Sequence, residues 1–268
     1  MWTREDLQAR LRPPCIGMIH LPALPGAPTY GGDLDLVVAA AARDLAALAA
    51  GGIGVVMVEN YHDIPFWPDR VPPETVAAMA VVLAALRQEA PEILFGVNVL
   101  RNDAEAALAV AGATGASFIR VNVHAGAMIT DQGPLAGQAH RTLRRRRELG
   151  LDDVGILADL RVKHAAPVAI RDLGEEARDL RLRGLADALI VSGPATGCAA
   201  DPELLRDLRD AVPDCPILIG SGIDVHNLSQ FAAADGFIVG TSLKTADRID
   251  PERVRELVAA LRRGKGPA

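Results

Sequence analysis

Eight short apolar runs, each of strand length, recur along the chain and constrain its fold more than any other feature of the sequence. They lie near residues 15–19, 53–58, 93–99, 117–123, 154–160, 187–191, 216–219 and 236–240. Runs that are apolar at nearly every position are typical of strands buried on both faces of a parallel sheet. Eight such strands, each followed by a helix, predict the α/β class and a (β/α)8 TIM barrel, with a doubly wound open sheet as the alternative.

The segments between the runs carry apolar residues at helical spacing. One such pattern begins at Leu34 and continues to Leu48, before the stop signal Gly51-Gly52. Asp-Pro pairs at 201–202 and 250–251 predict helix starts with an N-cap followed by a first-turn proline. No Gly-rich dinucleotide motif, composition shift or linker interrupts the alternation. We therefore expect a single domain over residues 1–268, with strand–helix units from about residue 15 to 262.

Composition narrows the class of partner. The formal net charge of −6 and the aromatic content of 3% argue against a nucleic-acid ligand. Neither a signal peptide nor a run long enough to span a bilayer is present, so the sequence indicates a cytoplasmic protein that binds a small molecule. Peripheral membrane association and a homo-oligomer stay open. Cys15, Cys198 and Cys215 lack CxxC spacing, which predicts reduced core thiols.

Polar residues stand where the predicted strands end, which in a TIM barrel is the functional face. They are His20, Glu59, Asn60, Asn98, Asn122, His124, Asp159, Ser192, Ser221 and Thr241. Any one of them alone is more simply explained as a strand-end cap or a turn former. Together they predict a polar site at the carboxyl-terminal mouth, with substrate-binding roles for His20, Asn60, Asn98, Arg120, Asn122 and His164.

Two strand-end carboxylates, Glu59 and Asp159, predict an acid/base pair on two sides of a bound sugar. The alternative is an ion pair with Arg120, because a buried guanidinium needs an anion; Glu59 or a substrate phosphate would supply it. If the fifth strand continues beyond Asp159, Arg161 and Lys163 share its side and Lys163 faces the pocket. Lys163 would then form a Schiff base, stabilise an enolate or hold a phosphate.

Small residues after the last two predicted strands favour a phosphate site, because they let backbone N–H groups approach an anion. The predicted phosphate-binding residues are Gly220, Ser221, Gly222, Gly240, Thr241 and Ser242, with Ser192 and Gly193 extending the site. No cofactor is predicted. Histidines near the mouth show no metal-binding spacing, although a divalent metal stays open.

The loop after the second predicted strand is a candidate lid. It gathers Tyr61, Phe66 and Trp67 between several prolines, and packing over the barrel rim is the alternative. Trp2, the other tryptophan, is expected to lie outside the barrel. The arginine cluster at 141–147 spreads around a predicted helix and indicates a solvated face.

Two strings resemble the BtpA/SgcQ family, whose members are TIM barrels: residues 17–28, GMIHLPALPGAP, and residues 58–66, VENYHDIPF. The resemblance continues through Gly96–Asn98, Ile119–Asn122, Asp159–His164, Ser192–Gly197 and Gly220–Gly222, and so covers essentially the whole chain. It implies the barrel fold. For activity it implies less, since one member is named for photosystem I biogenesis, others lie beside sugar phosphotransferase and epimerase genes, and some carry a nucleotide-hydrolase label.

The sequence therefore favours an enzyme of isomerase or lyase type acting on a phosphorylated sugar or nucleotide-derived metabolite. The alternatives are a non-catalytic assembly or stability factor, of the photosystem biogenesis type, and a nucleoside or nucleotide hydrolase. An enzyme requires converging polar groups beneath a pocket, whereas an assembly factor should present an apolar patch outside the barrel.

Overall fold

The computed structural model describes residues 1–193 and 201–264. Eight parallel strands close into a barrel, which confirms the predicted fold class. Numbered with all strands in chain order, they are β1 (Cys15–His20), β2 (Val55–Glu59), β3 (Leu94–Asn98), β4 (Phe118–Val121), β7 (Gly155–Asp159), β9 (Ala188–Val191), β10 (Ile217–Ile219) and β11 (Gly236–Val239). Around the barrel they follow the chain order, and β11 closes onto β1.

Most of the helices cover the outside of the barrel, and the first lies at its amino-terminal end. The helices are α1 (Arg4–Arg10), α2 (Leu34–Ala50), α3 (Pro73–Glu89), α4 (Ala104–Thr114), α5 (Ala139–Glu148), α6 (Leu173–Arg178), α7 (Pro202–Ala211) and α8 (Pro251–Gly264). The predicted start and stop signals hold: Asp201 caps α7 by accepting from the Glu203 amide, and Gly51 is the C-cap of α2. Within the described residues no helix is both long enough and apolar enough to cross a lipid bilayer.

The register of the strands aligns four polar side chains at one end of the barrel. His20 is paired with Glu59, Glu59 with Asn98, and Asn98 with Arg120, across four neighbouring strands. Residues paired across parallel strands point to the same face of the sheet. These four side chains therefore lie side by side at the carboxyl-terminal mouth.

The amino-terminal segment seals the opposite end of the barrel, and the expectation that Trp2 lies outside the barrel is wrong. Trp2 is only 9% exposed and belongs to the inner core cluster with Leu7 of α1 and Leu11, the C-cap residue of that helix. Its ring lies so close to Gly155 that a β-carbon there would come 2.2 Å from it. Burying the indole under the barrel removes from water a large apolar surface that an open end would expose.

Two smaller sheets were not predicted. Strands β5 (Ala127–Thr130), β6 (Gly133–Ala136) and β8 (Ala165–Pro167) form an antiparallel sheet in the order β6-β5-β8, and β12 (Lys244–Thr245) pairs with β13 (Arg248–Ile249). The first sheet joins the loops after β4 and β7 across one side of the mouth. Cys15 and Cys215 are buried free thiols, as expected; Cys198 and the motif residues 194–197 lie outside the described residues.

Candidate functional site

Two adjoining cavities open at the mouth and share one wall. The glycine chamber, about 180 Å³, is lined by Met18, His20 and residues 220–224 and 238–242. The basic chamber, about 280 Å³, is lined by Ile64, Phe66, Leu100, Arg101, Asn122, Asp131, Val162 and His164. Glu59, Tyr61, Arg120 and Lys163 line both and form the shared wall. A ligand that spans the wall contacts all four.

Glu59, at the end of β2, is held from one side and leaves one oxygen without a close partner. Asn98 donates from Nδ2 to its Oε2 at 2.5 Å. The other oxygen, Oε1, is 3.9 Å from Nε2 of His20, too far for a hydrogen bond. The carboxylate is 6% exposed. This geometry suits a base whose free oxygen faces a ligand in the shared wall.

His20, at the end of β1, is held by a lysine that sequence reasoning missed. Nζ of Lys244 lies 3.2 Å from Nδ1 of His20, and because an ammonium can only donate, Nδ1 accepts and Nε2 carries the proton. The ring stacks on Tyr61, with centroids 4.3 Å apart. Burial, followed by the charge of Lys244, lowers the pKa of His20 to about 3. His20 is therefore a neutral donor at neutral pH, directed toward Glu59.

Arg120 finds its anion in Asp159. Its Nε and one terminal nitrogen donate to the two carboxylate oxygens at 3.0 and 2.9 Å, and Asn122 adds a third bond from Nδ2 at 2.8 Å. Although burial opposes its charge, Asp159 raises the pKa of Arg120. The ion pair that the sequence offers as the alternative to an acid/base role is thus formed by Asp159, whereas Glu59, named there as a partner for Arg120, makes no ion pair with it. With both oxygens occupied, Asp159 is a positioning group for Arg120 and Asn122.

Lys163 reaches the mouth by a different path from the one expected. Strand β7 ends at Asp159, and Arg161 turns away to pair with Glu176 at 2.8 Å, so the predicted continuation of the strand is wrong. Lys163 nevertheless lines both chambers. Burial, then the positive charge of Arg120, lowers the pKa of its amine, and Asp159 and Glu59 oppose that shift. Among the described residues no hydrogen bond or ion pair of the amine is formed.

Arg101, in the loop after β3, also escaped sequence reasoning. It is 7% exposed, lines the basic chamber and donates from a terminal nitrogen to the Lys163 carbonyl at 2.7 Å. Its Nε has no partner in the described part of the chain, and neither has Oδ1 of Asn122 in the same chamber. A buried donor and a buried acceptor without partners are costly unless a ligand or water satisfies them.

The glycine chamber requires small residues. A β-carbon at Gly220 would lie 2.5 Å from Oγ of Ser192, and one at Gly240 3.2 Å from Cβ of Met18. Gly222 adopts a left-handed φ of 71°, which glycine permits without strain. Ser242 donates its hydroxyl to the Ile223 carbonyl at 2.6 Å, tying the two loops together. The chamber therefore exposes backbone rather than bulky side chains.

A model of the BtpA family matches residues 11–263. The chain belongs to the BtpA family. The photosystem I biogenesis protein BtpA of Synechocystis is 46% identical over 256 residues, which cover 94% of this chain and 88% of that protein. An uncharacterised protein of Thermococcus kodakarensis is 45% identical over 252 residues, covering 92% of this chain and 94% of the relative. The resemblance read from the motifs is thus confirmed.

Among solved structures, KGPDC from Streptococcus mutans, in complex with a phosphosugar, superposes with a TM-score of 0.59. The match covers 94% of this chain and all of that one at 11% identity. At that identity the likeness concerns the barrel fold alone. Within this BtpA-family chain, the two most specific motif strings supply His20, Glu59 and Tyr61 to the mouth.

Several predicted site residues lie behind the mouth of this BtpA-family barrel. Asn60 bonds the backbone of Leu100 through both its amide atoms and also donates to Asp63, so it fixes two loops. His124 is fully buried against the Gly184 carbonyl. Ser192 and Gly193 line neither chamber, as is also true of Asn98 and Asp159. Strand-end position thus selects residues that support the site as well as residues that line it.

The three aromatic residues of the candidate lid lie in different surroundings. Tyr61 and Phe66 line the basic chamber, whereas Trp67 is 59% exposed. The Trp67 carbonyl accepts from the Arg101 amide at 3.1 Å, and Asp103 accepts from the Val71 amide at 2.9 Å. These bonds attach the outer half of the loop to the chain that follows β3. In residues 1–193 and 201–264, no group of three or more His, Cys, Asp or Glu side chains is arranged to hold a metal ion.

Proposed function

We propose that this chain is an enzyme that binds a phosphorylated sugar or a nucleotide-derived metabolite at the barrel mouth and acts on it by acid/base chemistry, as an isomerase or lyase. One observation carries the proposal. Glu59 and Lys163 stand in the wall shared by a chamber of small residues and a chamber with unpaired polar atoms. A ligand with an anionic end and a hydroxylated end would place its middle at these two groups.

The phosphate would occupy the glycine chamber. Gly220, Gly222 and Gly240 keep side chains out of it, and the loops after the last two barrel strands are the usual phosphate site of this fold. The phosphosugar bound to the Streptococcus mutans barrel belongs to the same chemical class as the proposed ligand.

The sugar would extend across the wall into the basic chamber. There Oδ1 of Asn122 can accept from a hydroxyl and Nε of Arg101 can donate to one. Glu59 would take a proton from a carbon beside the carbonyl through its free Oε1. His20, protonated on Nε2, would donate to the oxygen on which negative charge develops. Arg120 and Asp159 would hold the wall rigid from behind.

Binding is tested by thermal unfolding with D-ribose 5-phosphate, D-ribose and inorganic phosphate. We expect D-ribose 5-phosphate and phosphate to raise the Tm and D-ribose to leave it unchanged; at one hundred times Kd, binding adds about 2.7 kcal/mol. Thr241→Glu places a carboxylate in the glycine chamber and should abolish both shifts. Thr29→Glu, at an exposed threonine that lines neither chamber, is the matched control. No shift with either phosphate compound would overturn the proposal.

Catalysis is tested in D2O by the exchange of hydrogen at the carbon beside the carbonyl of D-ribose 5-phosphate, followed by NMR. Glu59→Gln should slow the catalysed exchange by roughly 10²–10⁴-fold, as removal of a general base does, while binding persists. Glu256→Gln, on the exposed side of α8, should leave the rate unchanged. Equal exchange by wild type and Glu59→Gln would assign the proton transfer to another group.

A second candidate function, a non-catalytic assembly factor, has one observation in its favour. Ile129, Val168 and Ile170 are 49%, 62% and 91% exposed on and beside the small sheet β6-β5-β8. Exposed apolar residues that cluster are typical of docking surfaces. Charged substitutions at these three residues would abolish an assembly function but would not change the rise in Tm that a ligand causes. The two proposals can therefore be distinguished.

A further inference from the structure

The lysines of this chain are few and their placement is unusual. The sequence holds 28 basic residues, and lysine occurs only at Lys163, Lys244 and Lys265. Lys163 lies in the shared wall and Lys244 contacts His20 behind it. A chain that uses arginine for nearly every other cation thus has two of its lysines at the mouth. Arginine holds anions at least as well as lysine, but only lysine has an amine that becomes a nucleophile.

The surroundings of Lys163 suit a nucleophile better than a structural cation. Arg101 donates to its carbonyl, which fixes its backbone, and its amine makes no hydrogen bond or ion pair with the described residues. Asp159 is occupied on both oxygens by Arg120 and Asn122, and the Glu59 oxygen that Asn98 leaves free forms no ion pair with the amine either. A structural lysine in this partly buried position beside two carboxylates would be expected to pair with one of them.

Lys244 is the other amine at the mouth, and its contact with His20 sets it apart. Its ammonium donates to Nδ1 of that ring at 3.2 Å. Lys244 lines neither chamber. Arg101 and Arg120, the two arginines of the mouth, remain protonated and cannot attack a carbonyl. Among the described residues that line the mouth, Lys163 is thus the one amine available to a ligand.

We infer that Lys163 is the covalent catalytic residue of this site and forms an imine with the carbonyl carbon of an open-chain phosphorylated aldehyde or ketone. The inference rests on the proposed function for the phosphate end of the ligand. It narrows the substrate class to compounds with a free or ring-opened carbonyl, and it selects one of the three roles that the sequence leaves open for Lys163.

The step balances within the site. The neutral amine attacks the carbonyl carbon and a C–N bond forms; the proton that the nitrogen then gives up passes to the carbonyl oxygen, which yields a neutral carbinolamine. A proton from solvent converts the new hydroxyl group into water, which leaves with the C–O electron pair and gives the protonated imine. Glu59 then accepts the proton from the adjacent carbon, and the electron pair of the C–H bond moves toward the imine nitrogen to form an enamine. Protonation of the enamine at carbon followed by hydrolysis returns the free amine, so no oxidant or reductant is consumed.

The position of the amine agrees with this chemistry. Burial and the neighbouring Arg120 lower its pKa, which increases the neutral fraction available for attack near neutral pH. Glu59 shares the wall with it, so the carbon beside a bound imine would lie within the same small region as the free carboxylate oxygen.

The test traps the imine by chemical reduction. The full chain is incubated with D-ribose 5-phosphate and sodium cyanoborohydride, and a proteolytic digest is analysed by mass spectrometry. We expect one adduct per chain, on the peptide that contains Lys163, with the peptides of Lys244 and Lys265 as internal references. Lys163→Arg should yield no adduct while keeping the Tm shift with D-ribose 5-phosphate; Lys163→Met serves the same purpose should the arginine variant not fold.

Each outcome has a defined meaning. No adduct at Lys163, at a ligand concentration that saturates the Tm shift, would overturn the inference and leave the proposed binding function standing. An adduct distributed evenly over the three lysines would overturn it as well, since that pattern is ordinary chemical glycation. Absence of both adduct and Tm shift would overturn both proposals.

Discussion

At the scale of the residue, His20 makes folding sensitive to acid. Its pKa is about 3 in the folded chain, because of burial and then Lys244, against 6.5 for a solvated histidine. The unfolded chain therefore binds the additional proton, and stability falls as pH decreases from 6.5 toward 3, by up to about 1.4 kcal/mol per pH unit for one group. Urea unfolding at pH 7 and pH 5 should show a smaller loss in His20→Asn than in wild type.

His226→Asn is the matched control for this effect, since His226 is exposed and lines neither chamber. Its loss of stability between the two pH values should equal that of wild type. Equal losses of stability in all three proteins would mean that the pKa of His20 is the same in the folded and the unfolded chain.

Residue-level partners were the part of the site hardest to predict. Arg120 is paired in register with Leu157, and Asp159 lies two residues farther along β7 on the same face, so the two side chains meet diagonally. That relation follows from strand parity once the register is known, but a sequence does not reveal the register. Lys244 lies in the two-residue strand β12 and Arg101 in the loop after β3, and segments so short or irregular show no periodicity from which to predict them.

At the scale of the element, the loop between β2 and α3 remains a candidate lid. If it closes on a ligand, the exposed ring of Trp67 should become shielded. We expect saturating D-ribose 5-phosphate to reduce acrylamide quenching of tryptophan emission in wild type. Trp67→Phe is the control: Trp2 is buried at the sealed end of the barrel, and its emission should not respond. Unchanged quenching in wild type would identify the loop as a fixed rim.

The barrel elements themselves were predictable, because buried parallel strands are apolar at nearly every position and capped helices carry local signals at Asp201 and Gly51. The small sheet was not. Strands β5, β6 and β8 are three or four residues long, and β8 joins β5 across more than thirty residues of chain. Such pairing depends on tertiary contact, which short segments do not encode locally.

At the scale of the whole molecule, one buried aspartate ties the amino-terminal segment to the barrel. Asp187 accepts from the Trp2 amide at 3.0 Å, from the Ile156 amide at 2.8 Å and from Arg146 at 2.9 Å. Asp187→Asn leaves Arg146 without its anion and should cost about 3 kcal/mol of unfolding free energy in urea. Asp152→Asn removes an exposed partner of Arg147 and should leave the midpoint nearly unchanged. If Asp187→Asn and Asp152→Asn changed the free energy of unfolding by the same amount, apolar packing alone would account for the stability of the sealed end.

The shared wall between the two chambers also bears on how a tight ligand for this site can be designed. Because the chambers meet only at four side chains, two separate small molecules can sit on either side without competing: an anion among the glycines, and a planar compound beside Phe66 and Arg101. A linker that passes Glu59 and Lys163 would join the two small molecules. Once the first is bound, the second would then bind its own chamber intramolecularly. The joined compound should then bind far more tightly than either fragment, with linker length as the variable that decides the gain.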